Sequence, residues 1–212
     1  MSWLIVSAID AEPLVATRRR ALDRDRYAAL ARIAMERDWL RAERATLAVG
    51  GMSRRALEEL TVGAAAHDVE VRSVGDGYPL DDHDELAKEL GAEGARVVSL
   101  ARLLAPLGHS WVSVAGAVRE PAVVLARTGA TPAELVELAG GPAVDHWVAL
   151  DGGPIRGRLI DHEAPLGAEI EAMTILPHVH PLVIARRPLP TARVSREVLR
   201  LGLGLASYAD PL

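Results

Sequence analysis

Four clusters of this sequence carry groups able to do chemistry. An apolar run, Leu4-Ile-Val-Ser-Ala-Ile9, stops at Asp10-Ala-Glu12-Pro13, leaving two carboxylates one residue apart at its end. Both are acceptors for a ligand's donors, or they stand in a solvated turn where Pro13 takes the chain out of extended pairing. Tyr78, Asp81 and Asp82 form a second polar knot. Gly152, Gly153 and Gly157, in Asp151-Gly-Gly-Pro-Ile-Arg-Gly157, can present backbone N–H groups to an anion. No Lys or Ser/Thr completes a phosphate-loop pattern there, so a tight turn needing positive φ is the commoner reading. His178 and His180 would point the same way from a strand and could share a metal with His162 and Glu163, although such pairs are more often turn histidines. His67, His83, His109 and His146 have no partner spacing. No G-x-S-x-G elbow supports a serine hydrolase.

The elements that must position these groups follow from periodicity. Trp3–Ile9 reads as a buried strand, short and nearly all apolar. From Arg24 to Arg44 the residues Tyr27, Leu30, Ile33, Ala34 and Leu40 recur at helical spacing. Arg18–Arg20, followed at once by Asp23 and Asp25, reads as a solvated helix face. Ala45–Val49 is a second strand, ending in Gly50-Gly51, and Ser53 caps a helix to about Ala66. His67–Val74 alternates as a third strand. Strand–helix–strand–helix–strand predicts a parallel βαβ layer, whose ligands sit at the carboxyl ends of its strands. Those ends are Asp10–Glu12, Gly50–Met52 and Gly75–Tyr78. A helix to about Leu90 follows, then a second over Val97–Leu104. After that the texture becomes a hairpin (Trp111–Val118 and Val123–Arg127), a helix over Ala133–Leu138 with Pro132 at its start, and a strand at His146–Leu150. That order suits a small β-grasp-like unit, with Trp111 and Trp147 as core or interface anchors. A last short strand lies within Ile170–Leu176, and the tail is helical at Ser195–Leu205.

The bulk numbers exclude several classes. The 212 residues are 50% hydrophobic with net charge −5, ordinary globular values, and large enough to bury a core without metals or disulfides. Four Trp, three Tyr and no Phe leave the core to Leu, Val, Ala and Ile. With no cysteine there are no disulfides, thiolate zinc sites or thiolate-ligated iron–sulfur clusters. The mild acidity argues against a nucleic-acid partner. Met1–Ala8 lacks the basic start and length of a signal peptide, and no apolar run reaches membrane-spanning length. A cytoplasmic location is expected.

Five of these landmarks, in this order, resemble the C subunit of the Rnf electron-transport complex and its relative, the cobalamin reductase of propanediol-utilisation microcompartments. Both are similar to the flavin-bearing NADH-oxidising subunit of respiratory complex I. The pieces are Leu4–Pro13, Tyr78-Pro79 with its acids and Leu86, Val112–Pro121 with Gly140-Gly141, Asp151–Gly157, and Ile175-Leu-Pro-His-Val-His-Pro-Leu182. Together they span roughly residues 3–185, and the last tilts towards the cobalamin reductase branch.

The resemblance implies an α/β fold: a parallel βαβ core like the complex I FMN domain, interrupted by a soluble-ligand-binding β-grasp insert, with a helical tail. The expected division is 1–108 for the core, 109–146 for the β-grasp unit, 147–185 for a return to the first sheet and 186–212 for the tail. It also implies FMN and NAD as cofactors, with Asp10, Glu12, Tyr78, Asp82, Gly152 and Gly153 lining their crevice and a further subunit of a redox complex as partner. The sequence departs from the family pattern in three ways. It begins at the strand that the family's G-x-G-G-A-G-F-P-T phosphate loop precedes. It has Arg193–Leu205 where cluster cysteines would stand, and Ala11 where a Cys often precedes Glu-Pro. Asp81, where the family usually has Gly, adds bulk and repels phosphate. The expectation is therefore a degenerate electron-transfer component with weak or no flavin binding, no iron–sulfur cluster and a docking role. A non-redox scaffold built on the β-grasp unit, and one half of a split NADH:flavin oxidoreductase, are the alternatives.

Overall fold

A computed structural model describes residues 2–10, 12–75, 80 and 82–186. The first sheet holds β1 (Trp3–Ala8), β2 (Arg44–Val49), β3 (Glu70–Ser73) and β4 (Arg96–Ser99) in the order β3-β2-β1-β4, every pairing parallel. Its helices are α1 (Thr17–Arg24), α2 (Arg26–Leu40), α3 (Arg54–Ala65), α4 (His83–Glu89) and α5 (Leu100–Leu104). The alternation of β1 sorts its residues between two cores. Leu4 and Val6 pack with Leu30 and Ile33 of α2 and Leu60 of α3. Ile5 and Ile9 face the other way, onto Leu86 and Leu90 around α4. Local signals set the helix starts: the side chains of Asp25, Ser53 and Asp82 accept amide bonds at the N-termini of α2, α3 and α4.

The second sheet is mixed. It holds β5 (His109–Gly116), β6 (Ala122–Arg127), β7 (Trp147–Asp151), β8 (Arg158–Ile160) and β9 (Ala172–Pro177), ordered β6-β5-β9-β7-β8. Only the β5–β9 pairing is parallel. Helix α6 (Pro132–Leu138) starts with Pro132 and a capping box between Thr131 and Glu134, and buries Leu135 and Val136 against this sheet. Helix α7 (Pro181–Arg186) closes the described chain. At Gly116 the strand bends with φ +94°, and a Cβ would lie 2.2 Å from the Ile175 carbonyl oxygen, so no side chain fits where β5 meets β9.

Three expectations are corrected. Val97–Leu104 is not one helix: Arg96–Ser99 pairs in parallel with β1, and only Leu100–Leu104 is helical. An apolar run of that length is ambiguous until its sheet partner is known. The strands after residue 146 do not rejoin the first sheet, because β7 and β9 hydrogen-bond to each other and β9 to β5. The second unit therefore continues past 146. The helix expected over Arg24–Arg44 is α2, Arg26–Leu40: Asp25, extended, ends α1 and caps α2, and Arg44 already belongs to β2. Strand β8 and helix α7 carry no distinct sequence signal. The tail helix at Ser195–Leu205, and Tyr78 and Asp81, lie outside the described residues. Among the described residues no helix is long and apolar enough to cross a membrane.

Candidate functional site at the carboxyl edge of the parallel sheet

The second sheet meets the carboxyl end of β1 through Glu12, while Asp10 beside it holds the start of α1. Glu12 has only 5% of its side chain exposed. Its Oε2 accepts from the amides of Ile155 at 2.9 Å and Arg156 at 3.2 Å, and its Oε1 accepts from Arg156 Nε at 2.8 Å. The loop's Ile155 and Arg156 amides, not those of its glycines, thus meet a carboxylate of this same chain. Gly153 is the residue that permits it: a Cβ there would lie 2.3 Å from Glu12 Oε2. On its other side the loop turns carbonyls outward, and the Arg186 guanidinium of α7 donates to those of Pro154 at 2.7 Å, Ile155 at 2.9 Å and Gly157 at 3.1 Å. The loop is therefore satisfied from both sides by side chains distant in sequence. Burial pushes the Glu12 carboxyl up, but the Arg156 side chain and the two amides outweigh it and hold it below the usual range.

Asp10 occupies the other local anion position. Its Oδ1 and Oδ2 accept from the amides of Arg18 at 3.1 Å and Arg19 at 2.8 Å, in the first turn of α1. Burial dominates here and raises its pKa despite these two amides. Arg18, expected on a solvated face, is instead turned inward. Its Nε pairs with Glu171 at 2.8 Å, and its Nη1 reaches Ser7 Oγ at 3.2 Å and the Ile9 carbonyl at 3.3 Å. Thr17 donates to the Glu171 carbonyl and accepts from the Ser113 amide at 3.0 Å. Ser113 Oγ in turn donates to the Leu14 carbonyl at 3.2 Å. These bonds rivet α1 to β5 and to the approach to β9.

Of the predicted site residues, Asp10, Glu12, Gly152 and Gly153 converge on this junction. Asp82 sits at the start of α4, where its Oδ1 accepts from Asp84 and Glu85 amides. The residues that sequence reasoning missed are Arg18, Arg156 and Arg186, whose partners are topological neighbours with no shared motif. The His178–His180 pair serves other ends. His178 meets His146 edge to face with ring centroids 5.4 Å apart, and His180 Nδ1 accepts the Leu182 amide at the start of α7. His162 stacks on Trp147 at 3.8 Å. Among the described residues no group of three or more His, Cys, Asp or Glu could hold a metal.

Next to the junction, α1 and the β5–β6 hairpin enclose a groove of about 840 Å³. Leu14, Leu104 and Val123 line it, with Arg20, Arg24 and Trp111. The Arg24 guanidinium lies 4.9 Å over the Trp111 ring. Grooves at the meeting of two structural units are common binding places.

Residues 111–159 match the SLBB domain, reaching thirteen residues beyond the boundary expected from sequence. Over 94 residues the chain is 33% identical to "Cobalamin reductase PduS" of Salmonella typhimurium, a stretch covering 42% of this chain and 21% of that protein. The fold is similar to chains of an NAD+-reducing [NiFe]-hydrogenase in its H2-reduced state (TM-score 0.63, 14% identity, 93% of this chain and 46% of that one) and its air-oxidised state (TM-score 0.63, 13% identity, 96% and 48%). The chain thus spans about a fifth of the curated relative it matches and about half of these structural neighbours.

Proposed function

We propose that this chain, an SLBB-bearing relative of the cobalamin reductases and Rnf C subunits, is a docking component of an electron-transfer complex with little or no flavin affinity of its own. The seating of Glu12 carries the reading. A flavin phosphate is a dianion that needs several converging donors, best supplied by backbone amides at a helix start or in a glycine-rich turn. The amides of Ile155 and Arg156 are taken by Glu12, and those of Arg18 and Arg19 by Asp10. Asp82 adds a further acceptor at α4. These residues do not fit a flavin phosphate, so no redox step is assigned to them.

What the junction does supply is rigidity. Glu12 and Thr17 tie the parallel-sheet unit to the SLBB unit, and Arg18 ties it to Glu171 just before β9, through partly or fully buried polar bonds. The tie fixes the groove between α1 and β5–β6 that a partner subunit can read. The direct test is an NADH:ferricyanide assay on the purified chain with added FMN, alone and after co-expression with a candidate flavin-bearing redox subunit. The isolated chain should stay at background, and co-expression should yield a stable complex that Trp111→Glu weakens. Flavin-dependent turnover by the isolated chain would contradict the proposal.

A further inference from the structure

Helix α2 carries an apolar ridge on the side away from the sheet. Tyr27, Ala31, Met35 and Trp39 follow one another at spacing four, opposite the buried Ala29, Leu30 and Ile33. Tyr27 is 75% exposed, Met35 60% and Trp39 74%. Beside Tyr27, between α2 and α3, lies a groove of about 630 Å³ lined by Leu30, Val62 and Gly63, with Glu58 and Glu59 on its rim. Gly63 keeps it open: a Cβ there would make only ordinary contacts, 3.5 Å to Leu30 Cδ1 and 3.9 Å to Tyr27 Cε1. The helix thus has an aromatic knob, Trp39, at one end and a hole at the other, about 18 Å apart by helical rise.

A knob and a hole on one face of one helix are self-complementary under a two-fold axis, and only then do both contacts form at once and close. We infer that this protein forms a two-fold symmetric dimer through the ridge of α2, with Trp39 of each copy seated in the α2–α3 groove of the other. An axis through the middle of α2 sets Ala31 of one copy against Met35 of the other, small against large, and Tyr27 against Trp39. Ridges of spacing four lie side by side when two helices cross at about −50°, the commonest packing class. The Glu58–Glu59 rim is already paired within each copy, with Arg54 at 2.8 Å and Arg55 at 2.9 Å, so the contact rests on shape and apolar area rather than on charge. Four aromatic rings, each able to bury about 150–250 Å², with Met35 and Val62, supply roughly 1,000 Å², the low end of specific interfaces. An interface of this size is of the weak, reversible kind.

Sedimentation equilibrium of the full chain tests this independently of any redox role. The wild type should pass from the chain mass to twice that mass with rising concentration. Trp39→Ala removes the knob and Gly63→Leu fills the hole. Each should be monomeric while keeping the wild-type far-ultraviolet circular dichroism, since Trp39 is 74% exposed and a Cβ at Gly63 makes only ordinary contacts. Mixing the two variants is decisive, because the intact Trp39 of one fits the intact groove of the other and the truncated knob meets the filled hole: the doubled mass should return. A wild type that stays monomeric at high concentration would overturn the proposal. So would a dimer indifferent to Trp39→Ala, or variants that fail to re-associate on mixing.

Discussion

Removing the Glu12 carboxylate should both weaken the fold and uncover a site. Glu12→Ala leaves the Ile155 and Arg156 amides without their acceptor and the Arg156 side chain without its partner. Hydrogen bonds to a charged group are worth about 1.5–3 kcal/mol each, and breaking a buried pair costs about 3–5 kcal/mol. Arg156 is 40% exposed, so its share is discounted for solvent screening. A net loss of about 3 kcal/mol follows, which for a domain of this size lowers Tm by roughly 6–12 °C. The emptied loop then holds two convergent amides facing nothing, an anion nest. Sulfate or phosphate should therefore raise the Tm of Glu12→Ala clearly more than that of the wild type, compared with chloride at matched ionic strength. Differential scanning calorimetry reads both effects. A loss below about 1 kcal/mol, or an equal anion response in the two proteins, would refute the reasoning that Glu12 fills the nest.

Gly153→Ala should reproduce much of this destabilisation with Glu12 still present, because the added Cβ falls 2.3 Å from Glu12 Oε2; urea melts should show a drop of about 2 kcal/mol. The pH dependence has a defined sign. Glu12 titrates below its ordinary value when folded, so its contribution is full above about pH 4.3 and is lost as pH falls through the lower folded value. The stability gap between wild type and Glu12→Gln, measured by denaturant titration, should be flat near neutrality and shrink below pH 4.3. Asp10 acts in the opposite direction: its raised value means that ionised Asp10 costs stability near neutrality, a cost relieved as acid protonates it.

The elements themselves were largely legible because each is announced locally. Ser53, Thr131 with Pro132, and the alternation of β1 specify starts and faces within a few residues. What escaped was pairing. Arg96–Ser99 looks like the first turn of the helix that follows it until β1 is laid beside it. Strands β7 and β9 take the second sheet because of their register with β5, a long-range choice that no local pattern encodes. At the site, residue type and topology singled out Asp10, Glu12 and the glycine loop as groups able to meet a ligand; in the structure Glu12 and the loop meet each other. That Glu12 should lie in the loop 143 residues away was not visible. One signal was available: an acid ending a central strand and a glycine-rich turn offering amides are complementary, and each can satisfy the other.

The central claim is that the anion-binding positions of this crevice are filled by the chain's own carboxylates. Titration of the purified protein with FMN, followed by quenching of flavin fluorescence, tests it most directly. The account predicts a colourless preparation and no binding tighter than the high-micromolar range, roughly 6 kcal/mol or less of affinity. A yellow protein that releases close to one flavin per chain on denaturation would contradict it.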